Sequence, residues 1–192
     1  MLRIGLFGGS FDPVHLGHLL VAQAACEELG LKRLFFVPTA QSPFKPDHVL
    51  APADLRLRLL RLALAGGVRY EIDKQEIGRG GISYSVDTVR DYAARFPAAE
   101  LFFLIGADHV AQLPKWREAL TLAKLTEFVV IPRPGQPTIQ APPPFRVRLL
   151  SGFPVSISSS QIRERIREGK PVNGLVPAAV AEAIHDNQLY LS

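Results

Sequence analysis

The sequence holds one cysteine, Cys26, in 192 residues, which excludes an internal disulfide and fits a reducing compartment. No uninterrupted apolar run approaches the roughly 20 residues needed to cross a bilayer, and no basic segment followed by a long apolar stretch opens the chain. A soluble, cytoplasmic protein with no membrane partner is the expectation. Aromatic residues are only 8% of the chain, and no aromatic platform for single-stranded nucleic acid is evident. There is no H-E-x-x-H, so with a single cysteine a zinc site lacks its usual ligand patterns. A dinucleotide fingerprint G-x-G-x-x-G also fails, because Phe7 stands two positions after Gly5, and Gly8 and Gly9 are adjacent. A Walker A loop is excluded by the absence of any Gly-Lys-Ser/Thr. The net charge of +4 suits small polyphosphates as well as nucleic acid. Arg163, Arg165, Arg167 and Lys170 read first as a solvated helix face. With 47% apolar residues the chain can bury one core, so a single domain over 1–192 is expected.

What is present is concentrated in Gly8-Gly9-Ser10-Phe11-Asp12-Pro13-Val14-His15-Leu16-Gly17-His18. Arg3 to Phe7 reads as a buried strand before it, and Leu19 to Leu29 as a helix after it, with Gly30 as the stop. Strand, glycine turn and helix form an anion-binding arrangement: adjacent glycines let backbone N–H groups approach a phosphate, and the helix directs its positive end to the same place. His15 and His18, three apart, share one face at the helix start. An isolated H-x-x-H would read as a cap or as solvated side chains. In register with the strand, the glycines and Asp12-Pro13, it points to chemistry on a phosphate.

Further along, Arg33–Pro38, Tyr70–Ile72, Glu100–Ile105 and Phe128–Ile131 read as strands. Leu55–Ala65, closed by Gly66-Gly67, reads as a helix, as does a segment capped by Ser83 or Ser85 and running to about Phe96. Pro132–Pro144 reads as a surface loop, and the tail from Ser158 as two helices, the second opening at Pro177. This alternation predicts an α/β fold: a doubly wound parallel sheet with C-terminal helices and ligands at the C-terminal strand ends. Ser158-Ser159-Ser160 followed by Arg163 reads either as an N-cap cluster or as a second phosphate site at a helix start. Asp108 reads as a helix cap or as an acceptor for a ribose or magnesium ligand. Trp116, in Pro114-Lys115-Trp116-Arg117-Glu118, reads either as core or as a ring free to stack.

His15-Leu16-Gly17-His18 resembles the H-x-G-H signature of the nucleotidylyltransferase superfamily, and the longer Gly8–His15 stretch is similar to the version found in bacterial nicotinate mononucleotide adenylyltransferases. Ser83–Thr88, Ile105-Gly106-Ala107-Asp108, Trp116, Arg133-Pro134-Gly135 and Ile157–Arg163 look like that family's later motifs, in order along nearly the whole chain. The resemblance implies a Rossmann-like nucleotidyltransferase that moves the adenylyl group of ATP to nicotinate mononucleotide, giving deamido-NAD and pyrophosphate. It implies His15 and His18 on the ATP phosphates, helped by Gly8, Gly9 and the backbone of Ser10 and Phe11. Ser158, Ser159, Ser160 and Arg163 are implied for the outer phosphates, with Asp108 nearby. Ser83, Tyr84, Ser85, Trp116 and Lys45 are implied for the acceptor. Magnesium is implied on the pyrophosphate, without a protein cage. Phe44 departs from the pattern, since a histidine often precedes the lysine; Ser85 stands where a threonine is common and keeps the hydroxyl. Nicotinamide mononucleotide, flavin mononucleotide or phosphopantetheine as acceptor, or a non-catalytic nucleotide- or RNA-binding module, stay open. No nucleic-acid partner is expected, and a homo-oligomer is compatible with the sequence.

Overall fold

The computed structural model describes residues 1–44, 49–131, 141–153 and 155–191. Strands β1 (Leu2–Gly9), β2 (Arg33–Pro38), β3 (Tyr70–Ile72), β4 (Ala99–Gly106), β5 (Glu127–Ile131) and β6 (Val147–Leu149) form one sheet. Their order is β3-β2-β1-β4-β5-β6 and every pairing is parallel. The helices are α1 (Leu16–Glu28), α2 (Ala53–Leu64), α3 (Gln75–Arg79), α4 (Ser85–Arg95), α5 (Ala119–Leu125), α6 (Ser159–Arg167) and α7 (Ala178–Asp186). A 3-10 helix occupies Ala107–Lys115. This is the doubly wound architecture expected.

The central strands β1, β2, β4 and β5 are buried on both faces, and their side chains alternate between two cores. Phe7, Leu34, Phe36, Phe102, Leu104 and Val129 face one, under α1, α2, α6 and α7. Ile4, Leu6, Phe35, Val37, Phe103, Ile105, Phe128 and Val130 face the other, under α4, α5 and the 3-10 helix. β1 lies between β2 and β4, so the winding direction reverses there and a crevice opens beyond the ends of β1 and β4. The first motif follows β1 directly.

Several boundaries differ from those expected. α1 begins at Leu16 rather than Leu19, because His15 takes the N-cap position in extended backbone. Its C-terminal end is as read: Gly30 adopts φ +63, and the Leu31 N–H closes on the Cys26 carbonyl at 3.1 Å. Neither Ser83 nor Ser85 caps α4; Tyr84 holds that position, and Ser85 is the first helical residue. β6, three residues at the sheet edge with Leu149 exposed, carries no apolar run by which it could have been read. The 3-10 helix with Pro114 inside it, α3 and α5 were likewise not expected. Of the Pro132–Pro144 loop, residues 132–140 lie outside the described residues.

Candidate active site

Beyond β1 the backbone turns through Ser10 to Pro13 and enters α1. His15 is buried and His18 half-buried. Their rings stack at 3.7 Å between centroids. The His15 backbone N–H donates to His18 Nδ1 at 3.2 Å, which leaves the ring proton of a neutral His18 on Nε2. Phe11 and Phe7 meet His18 at 5.0 and 5.8 Å and hold it from the core side. Burial pushes His15 down to about 4. Burial, reinforced by His15, holds His18 well below the usual histidine range. Both are therefore neutral at pH 7, and His18 is an N–H donor with a fixed tautomer. Gly17 leaves room for this packing: a Cβ there would stand 3.0 Å from His15 Nδ1 and press on that ring.

The second phosphate-type segment is brought against the first. Ser159 Oγ donates to the Pro13 carbonyl at 2.9 Å, and Arg163 Nη1 to the Asp12 carbonyl at 2.7 Å. Arg163, read as a solvated charge on composition alone, thus ties the start of α6 to the turn before α1. Ser158 is the N-cap of α6, its hydroxyl accepting from Gln161 N at 3.2 Å while Gln161 Oε1 accepts from Ser158 N at 3.0 Å. Ser160 Oγ accepts from Arg163 Nη2 at 3.4 Å. So the serine cluster is both a cap and a helix start docked on the motif.

The turn itself is wired from beneath, by Arg56 and Tyr190, which lie outside every motif of the sequence, and by the side chains of Asp12 and Phe11 within the motif. Arg56, 2% exposed, donates to the Ser10 carbonyl at 2.8 Å and the Ala51 carbonyl at 3.0 Å. Asp12, 1% exposed, accepts from Ala51 N at 3.2 Å and from Tyr190 Oη at 2.8 Å. Phe11 takes φ +48 with its ring fully buried, so side-chain packing holds a backbone conformation that few residues adopt. A signal existed for Arg56: it lies one turn before Leu59 and Leu60, on the stripe of α2 that faces the core.

On the other side of the switch point, Asp108 lies two residues past β4, exposed, its carboxylate folded back over Gly106, which is the N-cap of the 3-10 helix. Asp108 is therefore not that cap. The 3-10 helix ends at Trp116, half-buried and edge-on to Phe128 at 5.9 Å and Phe103 at 6.3 Å. Its other neighbours are Phe44 at 5.5 Å and His109 at 6.0 Å. Trp116 Nε1 is buried and finds no hydrogen-bond partner among the described residues. The two readings of this tryptophan are combined: one edge packs on the sheet core, and the rest borders a cleft of about 220 Å³ with Tyr84, Ser85, Lys115, Arg117 and Phe44. Arg117 covers the Tyr84 ring at 4.6 Å. Ser83 does not border the cleft; its Oγ accepts from Ala40 N at 2.9 Å and fixes the loop after β2. Lys45 lies outside the described residues.

Likeness to known proteins gives the family. Residues 6–165 match the cytidylyltransferase-like family model. A Thermus thermophilus protein named probable nicotinate-nucleotide adenylyltransferase is 44% identical over 189 residues, spanning 98% of this chain and 100% of its own. The chain belongs to the nicotinate-nucleotide adenylyltransferase family. A relative of the same name from Opitutus terrae is 39% identical over 192 residues and is covered to 98%, as is this chain. Among solved structures, the Plasmodium falciparum nicotinic acid mononucleotide adenylyltransferase complexed with NaAD superposes with a TM-score of 0.78 at 18% identity, over 99% of this chain and 98% of that one. Its complex with APC gives 0.79 at 18% identity over the same shares. At that identity the likeness is one of fold.

Proposed function

We propose that this chain, as a single domain over 1–192, transfers the adenylyl group of ATP to nicotinate mononucleotide and releases pyrophosphate. The observation that carries the reading is the stacked His15–His18 pair at the start of α1, with the start of α6 bonded to the same turn. Two helix N-termini and two neutral imidazoles converge there, a set of fixed donors for a polyphosphate. The acceptor's 5′-phosphate is largely dianionic near pH 7, its second pKa being about 6, so no residue need deprotonate it. An oxygen of that phosphate attacks the α-phosphorus in line. The new P–O bond forms as the bond to the β-phosphate oxygen breaks, and pyrophosphate leaves with the electron pair. His18 Nε2–H, with backbone N–H groups of Gly8, Gly9, Ser10 and Phe11, stabilises the charge gathered on the α-phosphate oxygens. His15, Ser158, Ser159, Ser160 and Arg163 hold the outer phosphates, and Asp108 accepts from the ribose.

Members of this family use a divalent metal with ATP, and Mg2+ is the ion assigned here. Among the described residues no group of three or more His, Cys, Asp or Glu side chains is arranged to hold a metal. An ion carried in on the phosphates of ATP would neutralise charge on the departing pyrophosphate, and none of the residues named above is assigned to hold it. Among the described residues no helix is long and apolar enough to cross a membrane.

Nicotinate mononucleotide is favoured as acceptor by the cleft beside Trp116. Its face offers a ring to stack a pyridine, and Lys115 and Arg117 border it with two cations. With Ser85 and the N-terminus of α4, these receive a carboxylate better than a carboxamide, whose two N–H donors would face donors, and Lys45 is assigned to the acceptor's phosphate. Pyrophosphate release from ATP, assayed with nicotinate mononucleotide, nicotinamide mononucleotide, flavin mononucleotide and phosphopantetheine in turn, tests the reading. The highest kcat/KM is expected for nicotinate mononucleotide. Turnover confined to phosphopantetheine or the flavin would overturn it.

A further inference from the structure

The C-terminal tail reaches the turn that carries the histidines. Beyond α7 the chain passes through Gln188 (φ +49) and Tyr190 (φ +63), two non-glycine residues in the left-handed region. They deliver the Tyr190 hydroxyl to Asp12 Oδ1 at 2.8 Å. Asp12 Oδ2 accepts from Ala51 N at 3.2 Å, the Asp12 carbonyl from Arg163 at 2.7 Å, and the neighbouring Ser10 carbonyl from Arg56 at 2.8 Å. The same C-terminal region supplies the Leu175 carbonyl that accepts from Leu16 N at 2.9 Å, the first N–H of α1. Ser10 to Pro13 is thus gripped by three separate parts of the chain, and the Asp12 side chain is held by two of them, Ala51 N on one oxygen and the tail's Tyr190 on the other. Burial and the adjacent Asp12 raise the Tyr190 phenol far above its ordinary range, so it remains a donor at any working pH.

We propose that Tyr190 is a positioning residue of the adenylyl-transfer site, acting through Asp12 to hold the Ser10–Pro13 turn and hence the phosphate-facing backbone and His18 in register. This inference rests on the function proposed above. A buried carboxylate robbed of a hydrogen bond relaxes its backbone to recover one, and a shift of the turn by a fraction of an ångström falls on every donor aimed at the α-phosphate. The reach from residue 190 back to residue 12 makes the tail part of the active site without touching substrate.

The test compares Tyr190→Phe with Asn187→Ala. Asn187 Nδ2 donates to the Ala183 carbonyl at 2.8 Å and its Oδ1 accepts from Arg58 at 3.3 Å, so that variant loosens the same tail without touching Asp12. Tyr190→Phe is expected to lower kcat about tenfold, with KM for nicotinate mononucleotide within about twofold of wild type, and to raise the Kd of α,β-methylene ATP about fivefold by calorimetry. Asn187→Ala is expected to leave all three unchanged, whatever its Tm. Asp12→Asn, which keeps the shape and the Tyr190 hydroxyl but turns one of the two accepting oxygens into an NH2 facing a donor, is expected to move kcat and Kd in the same direction, and it serves if Tyr190→Phe does not fold. Unchanged kcat and Kd in Tyr190→Phe with a lowered Tm would make the contact purely structural. Equal kinetic losses in Asn187→Ala would assign them to general loosening. If the wild type releases no pyrophosphate with any mononucleotide, the proposed function fails on its own account, and the nucleotide Kd still decides the role of Tyr190.

Discussion

The two halves of the candidate site are built by different means. On the phosphate side the elements are joined by directed hydrogen bonds between distant parts of the chain: Ser159 to Pro13, Arg163 to Asp12, Arg56 to Ser10 and Tyr190 to Asp12, all between 2.7 and 2.9 Å. On the cleft side Trp116 is held by ring contacts at 5.5 to 6.3 Å, and its indole N–H is unpaired among the described residues. Hydrogen bonds fix position and angle, and buried ones are costly to distort. Ring packing is less directional and tolerates displacement. The difference matches what the proposed function asks of each half. Charge that develops in a transition state rewards donors set to a fraction of an ångström, whereas a flat ring that is merely recognised needs area and a suitable sign of charge. Changes on the phosphate side are accordingly expected to act on kcat, and changes in the cleft on KM.

The largest effect that would break this contrast belongs to His18→Ala. Loss of a preorganised transition-state donor is expected to lower kcat about 100- to 1,000-fold with the circular dichroism spectrum unchanged. Initial rates near wild type would remove His18 from the chemistry.

Next is the acid sensitivity of the phosphate side. His15 is about 4 in the folded chain against 6.5 when unfolded. The unfolded chain therefore takes up a proton that the folded one refuses, so this stability is complete above 6.5 and is lost as the pH falls towards 4. By pH 4.5 the loss from His15 amounts to about 2 to 3 kcal/mol, and His18, depressed in the same direction, adds to it. Urea midpoints at pH 7 and 4.5 check this, and His15→Gln should flatten the profile. An equal slope in that variant would place the acid-labile group elsewhere.

In the cleft, Trp116→Ala is expected to raise KM for nicotinate mononucleotide by the equivalent of about 1 to 3 kcal/mol, by analogy with aromatic–base stacking, with KM for ATP nearly constant. A change seen only in ATP affinity or in Tm would reduce Trp116 to a core residue. The smallest effect sharpens the phosphate side. Because the Ser158 hydroxyl is engaged as a helix cap, Ser158→Ala should cost about 1 kcal/mol of stability in thermal or urea unfolding. A KM for ATP raised more than about tenfold, against this small loss, would make that hydroxyl chiefly a substrate ligand.

Legibility in the sequence follows the same division. The turn before α1 could be read because a phosphate-binding turn is local: glycines, Asp12-Pro13 and both histidines lie within eleven consecutive residues. Buried parallel strands announce themselves as apolar runs, and four of the six were read with ends close to those observed. β1 was read within a residue or two, while β6, short and at the edge, had too little burial to leave a pattern. What supports the turn was legible only in the place of Arg56 on the core-facing stripe of α2, because Arg56 and Tyr190 are brought to the turn by the winding of the sheet, Tyr190 across 178 residues of chain. The roles of Trp116, Lys115 and Arg117 depend on a 3-10 helix containing Pro114, which breaks the periodicity on which helix reading relies. His109, beside Trp116 and Phe44, carried no local signal at all.

One-step transfer at the histidine pair is tested most directly with ATP labelled in its α-phosphate. The account predicts that with nicotinate mononucleotide the label moves into the dinucleotide one for one with pyrophosphate released, and that ATP alone leaves no label on the protein. Label retained covalently on any residue, or no transfer to nicotinate mononucleotide by a protein that binds ATP, would contradict it.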